Sequence, residues 1–139
     1  MTTTVEKIHD DAEVLALVAT ALSWDVHGTD LPAVEDALSM AKEFTSYGRI
    51  ILDDLRTQCL NLVADSDIAA IAHATLGEAS RRLYLRPLAG STSPRSAAQR
   101  AQNLARLVQS LLRAVGQVSE ARALITRQQS AHTTPKGTQ

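Results

Sequence analysis

The chain has 139 residues and a formal net charge of -1, which gives room for one domain with its own core but not for two. Its apolar residues are chiefly Ala, Leu, Val and Ile, and Trp24, Phe44, Tyr47 and Tyr84 are its only aromatics, which disfavours modules that stack nucleic-acid bases on rings. The single cysteine, Cys59, excludes an intramolecular disulfide and a cysteine-rich zinc site, and no apolar run is long enough to span a membrane.

The opening MTTTVEKIHDDAEV carries acids where a secretory leader carries a basic start and an apolar run, so a cytoplasmic setting is expected. A first helix is predicted from about Val5 to Trp24, with Thr3 and Glu6 spaced as a capping box. Ile8, Ala12, Leu15, Ala19 and Leu22 form its stripe. Val14, Val18 and Ala21 widen that stripe, so burial over much of the circumference is expected. The stretch SWDVHGTDLP, residues 23–32, gathers Trp24, Asp25, His27 and Asp30. Each has an ordinary duty in a corner, with Gly28 suited to a left-handed helix cap and Asp30 to the next N-cap.

A second helix is predicted from about Asp30, with Pro32 in its first turn, along the face Val34, Leu38, Ala41, Thr45, Gly48, Leu52, Leu55, Cys59 and Leu62. Gly48 should permit a close helix crossing. The acidic break DSD at 65–67 offers caps for a third helix reaching about Leu85, with Ile68, Ile71, Ala72, Thr75, Leu76, Ala79 and Leu83 inward. RPLAGSTSP, residues 86–94, reads as a loop, and Ser93-Pro94 as a helix start. The fourth helix runs to about Thr126, with a heptad seam at Ala101, Leu104, Val108, Leu111, Val115 and Val118. No strand pattern occurs. The fold expected is all-α: an antiparallel four-helix bundle of two long and two shorter helices, in a single domain 1–127 followed by a disordered tail 128–139.

Residues 1–70 carry thirteen acids and four bases, whereas residues 71–139 carry two acids and ten bases. The reading taken is that acids of the first two helices pair with arginines of the last two across the bundle surface, fixing which helix neighbours which. A polyanion-binding face is the sharper alternative, weakened by the small net charge and the scarcity of lysine.

Catalytic signals are sparse. There is no phosphate-binding glycine loop, no nucleophile elbow and no Glu-x-x-His pair for a helical metal centre, so no catalytic residue, metal site or cofactor is assigned. His9 with Asp10 and Glu13 makes an exposed ligand set of a kind that any acidic helix start offers, His73 at the edge of an apolar stripe is expected to be a partly buried structural residue, and Cys59 a small hydrophobe. The stretch GEASRRLYLRP, residues 77–87, is the most functional in character. Arg81, Arg82 and Arg86 crowd a helix end around Tyr84, and guanidinium forks there can grip a carboxylate, a phosphate or a partner. The competing reading is that the same arginines only meet the negative end of a helix dipole.

The opening MTTTVEKIHDDAEVLAL and the later GEASRRL resemble a family of small actinobacterial proteins of unassigned function, some named by context as natural-product biosynthesis proteins. The resemblance implies a bacterial cytoplasmic setting and a place beside a biosynthetic pathway, and it brings no catalytic residues. The function expected is a non-catalytic interaction or accessory module that self-associates, a dimer being favoured. A protein partner or an anionic small molecule is a further candidate ligand, and nucleic acid and membrane are disfavoured. The alternative is a cofactor-free enzyme or small-molecule binder of natural-product biosynthesis, working from a cavity between the helices.

Overall fold

The computed structural model describes residues 11–62, 66–84 and 92–137, with side chains to Arg127. Four helices occur in order: α1 (Asp11–Leu22), α2 (Val34–Cys59), α3 (Asp67–Leu83) and α4 (Pro94–Gly137). Among the described residues there is no strand, so the fold is an all-α helical bundle. The predicted capping box at Thr3 and Glu6 lies outside the described residues.

α2 and α4 make the most extensive helix–helix contact. α1 and α3 each touch both of them and do not touch each other, so they flank the α2–α4 pair on opposite sides. Small residues on the two central helices suit this arrangement. Ala37, Ala41 and Gly48 of α2 and Ala97, Ala98, Ala101, Ala105 and Ala114 of α4 are all buried, and short side chains let helix axes approach. Larger groups fill what remains: Phe44, Leu52, Leu55, Leu83, Val108 and Leu111 are shut off from solvent or nearly so.

α4 keeps its predicted seam, with Ala101, Leu104, Val108, Leu111 and Val118 buried and Val115 packed on the core. α2 buries Phe44, Tyr47 and Ile51 beyond the face read from spacing. Two stripes are narrower than expected. α1 buries only Val14, Val18 and Ala21 and leaves Leu15 45% exposed, so burial does not extend round the helix. α3 packs through Ala69, Ala72, Leu76, Ala79 and Leu83, leaving Ile71 54% exposed. Each outer helix meets the central pair along one edge, so apolar residues beyond that edge find nothing to cover them.

The helix ends also depart from the sequence reading. Asp30 is not the N-cap of α2. Leu31 precedes a proline and is biased away from helical geometry, and the helix starts beyond it with Ala33 as an extended N-cap and no capping side chain. Gly28 is not a left-handed cap either. Its N–H donates to the Asp25 carbonyl at 3.0 Å in a tight turn, and a Cβ there would come within 3.1 Å of Asp25 Oδ2. Ser66 of the acidic break does cap α3, its hydroxyl accepting from the Ala69 N–H at 3.1 Å. Ser93 caps α4 in the same way, through the Ser96 N–H at 3.1 Å. α4 stays helical to Gly137, beyond Thr126 and across the boundary drawn at 127. The apolar pattern registers only packed turns, and a helix already nucleated propagates past its last packed residue.

Gln102 is the one buried polar side chain among the described residues, 4% exposed. Its Nε2 donates to the Ala21 carbonyl at 2.9 Å, which also accepts from the Trp24 N–H, and to the Trp24 carbonyl at 2.8 Å, so it ties α4 to the end of α1. Tyr47 donates its hydroxyl to Asp11 Oδ1 at 2.5 Å, which ties α1 to α2.

Gly48 faces Leu83 of α3, and a Cβ there would lie 2.9 Å from Leu83 Cδ2, so this glycine sets the α2–α3 spacing. Gly48→Val should lower stability by about 1–3 kcal/mol through overpacking. In a Leu83→Ala background the same substitution should cost less, because the two sites share one space. Urea unfolding of the four proteins measures the coupling; equal costs in both backgrounds would mean the two residues do not meet.

Candidate functional site

The cluster predicted at the end of α3 is only partly assembled. Arg81 is exposed, and Arg86 lies outside the described residues. Tyr84, 60% exposed, belongs with a residue the sequence reading left aside: the Arg49 guanidinium lies 4.3 Å over its ring. Arg49 also donates from Nε (3.2 Å) and Nη2 (2.8 Å) to the Leu83 carbonyl, closing the C-terminal end of α3. A cation stacked on a ring and bonded to a helix-end carbonyl is positioned twice over, by the ring quadrupole and by the negative end of the dipole.

Arg82 points the other way, toward α4. Its Nη2 donates to the Asn103 carbonyl at 3.3 Å, and its Nη1 lies 3.7 Å from Glu78 of its own helix. It lines an open cleft of about 470 Å³ between α3 and the start of α4, with Arg95, Ser96, Gln99, Arg100, Asn103 and Leu104. The α4 residues fall on three successive turns of one face, the geometry of positions four apart. Across Arg82 the same interhelical groove continues as a second cleft of about 320 Å³, lined by Ala74, Thr75, Glu78, Leu107 and Ser110.

Several of the lining groups have a structural reason for their place. Ser93 and Pro94 start α4, so Arg95 stands in its first turn, where Nε donates to the Val26 carbonyl of the α1–α2 corner at 3.0 Å. Gln99 Nε2 and Arg106 Nη1 both donate to Asn103 Oδ1, at 3.2 and 3.4 Å. Arg100 is half-buried and makes no hydrogen bond or ion pair among the described residues. The cleft presents mainly hydrogen-bond donors, so its chemistry is the holding of an acceptor-rich group. Arg95 and Arg100 escaped the sequence reading because attention there rested on the inward seam. The polar run Arg95, Gln99, Asn103 and Arg106, at intervals of four, four and three, was the signal that could have found them.

The remaining sequence candidates are structural or exposed. In SWDVHGTDLP, Asp25 Oδ1 accepts from the His27 N–H at 3.1 Å, Val26 is buried and Trp24 packs on the core, while His27 and Asp30 are exposed. That stretch is a corner. Burial pushes the Cys59 thiol up, away from its reactive thiolate form. His73 is exposed, not partly buried. His9 and Asp10 lie outside the described residues, and among the described ones no three His, Cys, Asp or Glu side chains are grouped to hold a metal ion. No helix there is long and apolar enough to cross a membrane. Among the described residues the Arg56–Asp53 and Arg82–Glu78 ion pairs each lie within one helix, while Arg49, Arg82 and Arg95 bind main-chain carbonyls of other elements.

Residues 12–120 match the model of a family of unknown function (DUF6415), and the chain belongs to that family. The match takes in α1, α2, α3 and the first 27 residues of α4, and with them the whole cleft. No curated protein and no solved structure matches the chain.

If Tyr84 and Arg49 form a unit apart from Arg81, the two arginines should respond differently to removal. Arg49→Met should cost about 1–3 kcal/mol, since a charged donor pair and a cation–π contact are lost together. Arg81→Met should change stability by less than about 0.5 kcal/mol. Thermal or urea unfolding compares them; equal effects would remove Arg49 from this role.

Proposed function

We propose that this member of the DUF6415 family is a non-catalytic interaction module, an antiparallel four-helix bundle that works as a dimer of its own chain. The antiparallel order is supported by pairs of contacts. Gly48 meets Leu83 while Arg56 reaches Ser80, and Arg82 meets Asn103 while Thr75 and Ser110 share a cleft further along.

The observation that carries self-association is the overhang of α4. Ser119 Oγ donates to Gln58 Oε1 at 3.1 Å, close to the last turn of α2, and α4 continues from there to Gly137. At 1.5 Å per residue the extension is about 27 Å long. Leu60, Ile71 and Leu124, at 82%, 54% and 52% exposure, belong to the segments where α2 ends, α3 begins and α4 runs on. A second copy fits this end best. Glu120 and Arg127 stand seven residues apart on the extension with opposite charges, so two extensions packed antiparallel set each Glu120 near the other copy's Arg127. Such an interface is isologous and closes on itself.

The domain is proposed as residues 1–127, with 128–139 as a tail to it. A cytoplasmic place beside a natural-product pathway rests on the resemblance of the opening segment and GEASRRL; biosynthetic genes next to this one would support it. Arg81, Arg82, Tyr84 and Arg86 are the proposed contact for an anionic group, and Arg82 has the best geometric support among them.

Light scattering at tens of micromolar should give twice the 14.9 kDa chain mass. Leu60→Glu with Leu124→Glu should weaken the dimer by at least about tenfold, because apolar anchors near an interface centre carry most of its energy. A monomer mass for the unsubstituted chain overturns the proposal.

A further inference from the structure

We infer that the α3–α4 cleft is a binding site for a small phosphate monoester with a compact apolar body, held by Arg82, Arg95 and Arg100. The inference shares Arg82 with the anion contact proposed above and moves the rest of the site from the α3–α4 loop onto α4.

Charge gives the ligand class. Three guanidinium groups line the cleft, and Glu78, beside Arg82, is the acid in contact with them among the described residues. The local balance is therefore close to two positive charges, and a phosphate monoester near neutral pH carries close to two negative ones. Guanidinium forks match phosphate oxygens in geometry as well as charge. The first turn of α4 adds the positive end of a 44-residue helix.

Arg82 and Arg95 are held in place without being saturated. Each guanidinium carries five N–H donors. Arg95 spends Nε on the Val26 carbonyl, Arg82 spends one bond on the Asn103 carbonyl beside its contact with Glu78, and Arg100 spends none. A half-buried cation with no counter-charge is unfavourable, and a bound anion offsets that cost. Pre-positioned arginines with free donors lose little freedom when a ligand arrives. Ser96, Gln99 and Asn103 add neutral polar groups around the phosphate, and Leu104 with the arginine stems supplies the apolar wall. A volume of about 470 Å³ suits a small molecule and is too short a feature to follow a polynucleotide.

Calorimetric titration of the full chain with phenyl phosphate, inorganic phosphate and a short DNA duplex tests this. Phenyl phosphate should saturate one site per chain and bind at least about tenfold tighter than inorganic phosphate, because only it fills the apolar wall. Affinity should fall as pH drops from about 7.5 to 5.5, as the monoester takes up a proton. Arg100→Met removes no hydrogen bond or ion pair to the described residues and keeps an apolar stem, so it should fold normally and weaken phenyl phosphate at least about tenfold. Arg113→Met, on an exposed residue outside the cleft, should leave binding within about twofold. No saturation at about 10 mM phenyl phosphate overturns the inference. So does binding that Arg100→Met leaves intact; if Arg81→Met then abolishes it, the site is the loop cluster. Duplex binding tighter than phenyl phosphate and lost in Arg100→Met also overturns it, making the cleft part of a polyanion surface.

Discussion

The close approach of α2 and α4 is the constraint on which the other features depend. A run of alanines on α4 and the small residues of α2 suit a broad contact between the two helices, leaving α1 and α3 to pack from opposite sides. This makes α2 and α4 the two helices whose faces must satisfy three neighbours at once. On α4, Gln102 turns to α1, where it takes one carbonyl in the last turn and one just past the end of that helix, and Asn103, the next residue, turns to α3 and receives Arg82. The cleft lies where these two faces meet the start of the helix. Its position is a consequence of the core.

Arginine in this protein serves main-chain oxygen more than carboxylate. Arg49 closes α3 at Leu83, Arg95 holds the corner at Val26, and Arg82 reaches the backbone of α4 at Asn103. Two of these carbonyls lie at helix ends or in the corner that follows one, where no intrahelical donor is available. A guanidinium has donors to spare for such work beside any ion pair it makes.

Much of the fold was legible because it rests on spacing. The heptad seam of α4, the capping serine at 66, the Ser93-Pro94 start and the close crossing at Gly48 follow from local chemistry or simple periodicity. The errors share a cause. Leu15 and Ile71 are apolar and lie near an inward stripe, yet their exposure depends on how narrow an edge α1 and α3 offer the central pair, which no single helix encodes. The N-cap assigned to Asp30 failed because the bias of a residue before proline was outweighed by an attractive capping residue type. Of the site, Arg82 was visible as one arginine in a crowd. Arg95 and Arg100 were hidden because their significance comes from facing Arg82 across a groove, and Arg49 because its partner lies on α3 at a distance of 34 residues.

If the α2–α4 pair organises the molecule, it should also be the last part to open. Native-state hydrogen exchange resolves this residue by residue. Amides of α2 from Phe44 to Leu55 and of α4 from Ala101 to Leu111 should exchange only through global unfolding, and those of α1 and α3 through smaller openings at lower free energy. Amides of α1 or α3 as well protected as the central pair, or α4 opening before them, would contradict the account.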